Sequence, residues 1–512
     1  MINNSSSSKT IARNTIILYF RMLVTMVVSL YTSRVILQML GVDDYGLYQS
    51  VGGIVGFLVF VNNALATGTS RFITYALGEG HDKKLRTVFS TTMSIHIALG
   101  LLIVIFAETV GLWFLYHKLV IPPERMSAAV YCYHLSIITA FISITQVPYN
   151  ALIISRERMN VFAYASIVDV ILKLAIVYVL CLSPFDKLKL YATLYLIISV
   201  SIMMFYRGYC LRRFKESHYH IIFDKQILKE IGAFSGWSLF ANGAMALNKQ
   251  GILVLINMFF EPSVVAARAI SMQVNNVVIQ FVQNFRTAIN PQITKRWASG
   301  DIVGSKELVI TSAKISYFLV LMIALPVLFT TDELLHLWLE VVPEYTIVFV
   351  RLILIQSLFS VWDWSLYQAL YAKGQLRENA LISPTIGFCE FILCYVLFRM
   401  GCSPVVASYV AIVSPILLSL IVKPILLIKI VGYKWQDFIQ LYPACIYVTV
   451  VAVPLPLAYF LLIYPNITSE WGALLSMITI AGVSVFTSVW FLGLTSVMRQ
   501  KVIYAVRCKI NR

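Results

Sequence analysis

The chain has 512 residues, 59% of them hydrophobic and only 12% charged; soluble proteins carry about 25% charge. That deficit, with a mean hydropathy of +0.81, excludes a string of soluble domains. It predicts an all-α polytopic membrane protein, because repeated apolar runs of about 20 residues are the length of a helical span. The net charge of +16 is scattered over many short loops, so a nucleic-acid partner is not expected.

The polar start, "MINNSSSSKT", lacks a signal-peptide pattern, and the first span is expected to act as its own targeting signal. Breaks at charged or Gly/Pro-rich stretches predict fourteen spans. They centre on Met26, Gly56, Leu101, Ile138, Val170, Ile198, Ala246, Val278, Leu321, Gln356, Leu393, Pro415, Val451 and Ile480. The eight cysteines lie mostly in apolar runs without CxxC spacing, so no disulfide framework, metal site or cofactor is expected.

On the first span, Asn14, Arg21, Thr25, Ser29 and Thr32 share one helical face. Arg21 lies about 12 Å in from the cytoplasmic end. Arg34 sits near the outer end, about 220° around from Arg21. Capping, pairing with Asp43 or Asp44, and substrate contact are all open to it. His96 and His134 read as buried, hydrogen-bonded histidines rather than ligands. Asp169 and Lys173 form an i, i+4 pair with the acid first, the better order. Pro148, Pro326 and Pro415 are expected to kink their helices. On the seventh span, Ser235, Ser238, Asn242 and Lys249 again recur on one face.

The eighth span is the most polar. "RAISMQVNNVVIQFVQNFRTAIN", residues 268–290, carries two arginines and seven amides. At 100° per residue, Arg268 and Arg286 point the same way, roughly 27 Å apart along the axis. Asn275, Asn276, Gln283 and Asn290 fall within about 80° of that direction. Buried amides bonding neighbouring helices would explain some of this. The number of amides favours the other reading, a water-filled, cationic cavity wall. Farther on, Asp363 in "VWDWSLYQ" and Glu390 are candidates for binding a coupling H⁺ or Na⁺. Asp363 could equally bond Trp or Tyr donors.

Charge sets the topology. With the N-terminus in the cytoplasm and fourteen crossings, most Lys and Arg fall on cytoplasmic segments. Only Lys118, Arg125, Lys187, Lys189 and Arg399 fall outside, as the positive-inside rule requires. Within spans lie Arg21, Arg34, Lys173, Lys249, Arg268, Arg286, Lys314 and Arg351, against Asp169, Asp363 and Glu390. Both termini are expected in the cytoplasm.

The halves also resemble each other. "VILQMLGVDDYGLYQSV" (35–51) aligns with "VLINMFFEPSVVAARAI" (254–270), and "PYNALIISRERMN" (148–160) with "LYQALYAKGQLREN" (366–379), at offsets of about 218–219. Six helices per copy is an even number, so both copies run the same way through the membrane. That implies two lobes around a central cavity: residues 1–215, then 216–432, followed by two further helices in 433–512. The basic segment 206–232 would join the lobes on the cytoplasmic side.

With this layout, "SRVILQMLGVDDYGLYQ" resembles the multidrug/oligosaccharidyl-lipid/polysaccharide (MOP) exporter superfamily, in its polysaccharide transporter branch of Wzx-type flippases. The residues that carry the likeness are Arg34, Leu40, Gly41, Tyr45, Gly46 and Tyr48. The resemblance implies alternating access in a bacterial inner membrane. The implied substrate is an undecaprenyl-diphosphate-linked oligosaccharide, an O-antigen or capsule repeat unit.

The candidate substrate surface is Arg21, Lys249, Arg268 and Arg286, with Asn242, Asn275 and Gln283. Arginine binds diphosphate oxygens bidentately, and amides both donate to and accept from sugar hydroxyls. The lipid tail would stay among membrane lipids. No G-x4-G-K-[ST] occurs, so ATP hydrolysis is not expected, and the chain is not expected to be an enzyme. A lipid II flippase shares this charge logic. A multidrug/cation antiporter of the same fold would want carboxylates in the cavity instead. A membrane polysaccharide polymerase would need catalytic groups on a large outer loop, and the longest, near "TTDELLHLWLEVVPEY" with His336, is short.

Overall fold

The computed structural model describes residues 23–58, 82–156, 158–221, 250–339, 341–375, 377–467 and 469–494, with 66, 69–70, 72–77, 224, 227–229, 243, 246 and 499–500. Among these residues every regular element is a helix. The first is α1 (Leu23–Leu40). Gly41 then takes the left-handed conformation, φ +82, which a side chain would strain. There the chain turns into α2 (Val42–Leu58), whose first turn carries Asp43 and Asp44, the favourable end of the helix dipole for acids.

Residues 82–118 form α3, interrupted by a π-helical turn at Ala107–Gly111. Next come α4 (Met126–Ser155), α5 (Met159–Leu182) and α6 (Lys187–Arg213). The short α7 (Ile252–Phe259) leads into the long α8 (Pro262–Ala298). Then follow α9 (Ile302–Phe329), the short α10 (Thr331–Leu339), α11 (Thr346–Lys373) and α12 (Arg377–Arg399). The set ends with α13 (Val406–Val431), α14 (Trp435–Asn466) and α15 (Glu470–Ser488). Pro148, Pro326 and Pro415 all lie inside helices.

Eleven of these helical stretches are long and apolar enough to cross a membrane, and the chain is a multi-pass membrane protein. They coincide with eleven of the fourteen expected spans. Of the other three, the second and seventh run into residues outside the described set. The third is α8 itself, whose amides and arginines keep it from reading as a span by hydropathy.

The helix ends repeat. α4 ends at Ser155 and α5 starts at Met159; 218 residues on, α11 ends at Lys373 and α12 starts at Arg377. The bounds of α6 recur in those of α13 at 218–219. Even the break after α1 at Gly41 recurs after α7 at Phe260.

The residues pack into two compact units: 1–269 with 387–400, and 270–386 with 401–512. The first has a core around Phe89, Tyr149, Leu152 and Cys210, with Phe89 set edge-on to Tyr149 at 5.3 Å. Here α2 meets the start of α8 so closely that a Cβ at Gly46 would overlap the Pro262 carbonyl oxygen. In the second, Trp362 stacks on Tyr317 at 4.8 Å and meets Tyr442 edge-on at 5.0 Å.

Candidate functional site: the polar helix and its partners

Helix α8 divides its polar residues between two edges. One edge bonds to α11. Ser357 donates to the Asn275 side-chain oxygen at 2.6 Å. Arg286 donates to the Trp364 carbonyl at 2.6 Å. Gln368 donates to the Asn290 carbonyl at 3.4 Å and to Thr294 at 3.3 Å. These rungs meet the requirement that buried polar groups find partners. The other edge is Asn276, Gln280 and Gln283, all exposed. Their spacing of four and three puts them on one face. The inter-helix reading of the stripe holds along the edge that bonds α11; the other edge is exposed amide.

Both arginines are buried, Arg268 at 6% and Arg286 at 7% exposure. Each has a carboxylate in electrostatic range. Glu390 on α12 acts on Arg268, and Asp363 on α11 acts on Arg286. The two acids singled out for ion coupling are therefore set against the two arginines singled out for substrate.

Asp363 has a second cation. The Lys423 ammonium lies 3.0 Å from its carboxylate, donates to the Asn379 side-chain oxygen and sits over the Tyr367 ring at 5.4 Å. The sequence places Lys423 in a cytoplasmic loop. The structure corrects this: it is 1% exposed, well inside the helical run of α13. The available signal was an isolated lysine within an unbroken apolar run.

Of the remaining candidates, Arg21, Lys249 and Asn242 lie outside the described residues. Asp169 and Lys173 do pair, at 2.8 Å, and Lys173 also lies over the Tyr195 ring at 4.9 Å. His96 is buried and hydrogen-bonded to the Thr92 carbonyl at 2.8 Å. His134 is half-buried and paired with a residue the sequence reading passed over, Glu108, at 3.0 Å.

Toward the end of the first unit that the charge pattern reads as outer, Arg125 clamps two helix starts. It bonds Asp44 in the first turn of α2 and Asp186 at the cap of α6, the latter at 2.7 Å. At Asp186 burial opposes the charge, but the Lys189 N–H and the Arg125 guanidinium outweigh it and hold the carboxyl below its ordinary value. At Asp44 burial is the larger effect and raises the carboxyl despite Arg125.

This arrangement of helices is the fold of MOP-superfamily membrane transporters. Residues 18–179 match the MatE family model. Among solved structures, the lipid II flippase MurJ in an inward closed conformation aligns at a TM-score of 0.70 and 13% identity, covering 95% of this chain and 100% of that one. An inward-facing multidrug resistance MATE transporter of the MOP superfamily aligns at 0.64 and 14% identity, covering 79% and 96%. A MOP transporter from Pyrococcus furiosus Vc1, described by the reverse polarity of its binding pocket, aligns at 0.57 and 16%, covering 83% and 97%. No curated protein matches the sequence.

Proposed function

We propose that this chain is a flippase that moves an undecaprenyl-diphosphate-linked oligosaccharide, an O-antigen or capsule repeat unit, across the bacterial inner membrane by alternating access. The observation that carries the reading is the exposed amide edge of α8. Asn276, Gln280 and Gln283 stand near the middle of a 37-residue helix, at the depth where hydrocarbon would surround them. Amides are tolerated there when they face water or protein. A row of groups that both donate and accept, about 10 Å long, suits sugar hydroxyls.

In this reading the lobes are 1–215 and 216–432, and Arg21, Lys249, Arg268 and Arg286 with Asn242, Asn275 and Gln283 receive the substrate. The diphosphate competes with Glu390 and Asp363 for the two arginines. A multidrug/cation antiporter fits less well. Asp169, Asp363 and Glu390, acids within helical spans, each face a lysine or arginine, which leaves a cationic drug no uncommitted carboxylate among these three. Lipid II remains the second substrate reading, favoured by the flippase fold that covers nearly the whole chain.

The test is flipping in proteoliposomes of a fluorescent polyprenyl-diphosphate oligosaccharide, with lipid II as competitor. Wild type should flip the oligosaccharide. Arg286→Gln should weaken its binding about ten- to a hundredfold if a charged hydrogen bond to phosphate is lost, and Arg286→Lys should lose less. Unchanged flipping in Arg286→Gln and Arg268→Gln together would remove the cationic site.

A further inference from the structure

We propose that Glu108 and His134 form a proton-binding site in the first unit, and that proton binding there drives the conformational cycle. The argument begins with a comparison of acids. Asp169 faces Lys173, Asp363 faces Lys423, and Glu390 faces Arg268. Lysine and arginine are permanent cations at neutral pH, so those carboxylates are neutralised by charges that stay. Glu108 faces an imidazole, 3.0 Å away. Imidazole is the side chain whose charge ordinarily changes between pH 5 and 8. One proton added to the ring converts an anionic hydrogen-bonded pair into a neutral ion pair.

Accessibility separates them further. The side chains of Glu108 and His134 are 37% and 42% exposed, whereas Asp363 is 15% exposed beside a Lys423 at 1%. The one other carboxylate–imidazole pair among the described residues, Asp332 with His336 at 3.4 Å, lies on the short α10 beyond the end of α9. Glu108 instead stands ten residues, about 15 Å, inside the Lys118 end of α3.

The backbone supplies the second observation. Glu108 lies on the π-helical turn at Ala107–Gly111, a distortion frequent at functional sites. The Tyr133 hydroxyl donates to the Ala107 carbonyl at 2.8 Å, so the residue beside His134 holds the turn open. The missing side chain of Gly111 makes room for that hydroxyl. Proton binding and the shape of α3 are thus joined through adjacent residues of α4.

Among the described residues, little else sets the charge there. Tyr133 offers a neutral hydroxyl already bonded, and α2 presents Ile54. Lys118 sits at the helix end over Trp113, and Lys189 bonds Ser127. Arg125, Asp44 and Asp186 are committed to one another.

The test uses the full chain in lipid nanodiscs, with protons as the only ligand. Spin labels on the 119–122 and 341–344 loops report their separation at pH 8 and pH 5.5. The distance distribution should shift in wild type and in His336→Gln. It should stay fixed in Glu108→Gln and in His134→Gln, and return in Glu108→Asp. A second reading needs no variant: diethyl pyrocarbonate modifies neutral imidazole, and mass spectrometry should find His134 labelled faster at pH 8 than at pH 5, after correction for reagent hydrolysis. A shift that survives either substitution, a wild type without a shift, or pH-independent labelling of His134 overturns the proposal.

Discussion

The two halves share helix ends at a constant offset, yet they hold their charges differently. In the first, a half-exposed Glu108 meets a half-exposed His134 at a π-helical turn. At the corresponding place in the second, Pro326 opens the helix near the end of α9, and α10 restarts at Thr331. The second half carries its acid elsewhere, on α11, and closes it with the buried Lys423. The backbone interruption recurs while the residues that use it differ. Each half holds a carboxylate–lysine pair and a carboxylate–imidazole pair; they differ in that Glu108–His134 lies within a span, whereas Asp332–His336 lies on the short α10 beyond α9.

The sharpest way to break this contrast is Lys423→Met. It leaves Asp363 and Asn379 without their ammonium inside α11–α13, and removing one partner of a buried ion pair costs about 3–5 kcal/mol. Thermal unfolding in detergent should show a loss of that order. Adding Asp363→Leu should recover only part of it, since the buried Arg286 then loses the carboxylate it faces. Glu108→Gln should cost less than about 1 kcal/mol, as expected of an exposed pair. Equal losses in the two halves would mean that the pairs do not differ in the way described.

Gly111→Ala comes next. The added methyl occupies the position of the Tyr133 hydroxyl, which must leave the Ala107 carbonyl. Overpacking of this kind costs about 1–3 kcal/mol. The measurement is unfolding temperature together with the pH-dependent separation of the outer loops, and both should fall. A stable Gly111→Ala protein with the full pH response would separate the π-helical turn from the proton site.

Arg125→Gln should cost about 1–2 kcal/mol, at the lower end for charged hydrogen bonds because the guanidinium is partly solvated. Its pH dependence has a definite sign. Asp186 lies below its ordinary value, so its contribution is full above about pH 3.9 and is lost as pH falls through the folded value. Asp44 lies above its ordinary value, so acidification protonates it first and slightly favours the folded state. Wild type should therefore hold or gain a little stability between pH 7 and 5, then lose it below about pH 4. Arg125→Gln should flatten that acid limb, as followed by unfolding at graded pH.

Much of this was legible in the sequence because lipid makes polarity expensive. The apolar runs marked eleven spans that the structure also has, and the amides of α8 marked the polar helix. The Asp169–Lys173 pair was readable because both residues lie on one helix. What stayed hidden depends on contacts between distant segments. Arg268 with Glu390 and Lys423 with Asp363 join different helices, and no local pattern ties their positions. Lys423 was misplaced because a charge in an apolar run reads as the end of a span until a buried partner is known. The turn at Ala107–Gly111 was invisible because shifting a hydrogen-bond ladder by one residue needs no special side chain. The fate of Arg21, Lys249 and Asn242 lies outside the described residues.

The smallest expected effect decides what the amide edge faces. The double substitution Asn276→Leu, Gln280→Leu changes only exposed side chains, and none of the described ladder to α11 depends on them. If that face is wet, the leucines gain no burial, and stability should stay within about 0.5 kcal/mol, as for surface changes elsewhere. If the face lies against hydrocarbon, each change replaces an amide with a side chain lipid prefers, and the protein should become clearly more stable in bilayers. Unfolding in nanodiscs therefore separates a wet face from a lipid-facing one by the presence of a gain. A nearly unchanged stability combined with lost oligosaccharide flipping is the outcome expected of a sugar-facing surface. A large gain with flipping intact would place the edge against lipid and leave the arginines alone to recognise the substrate.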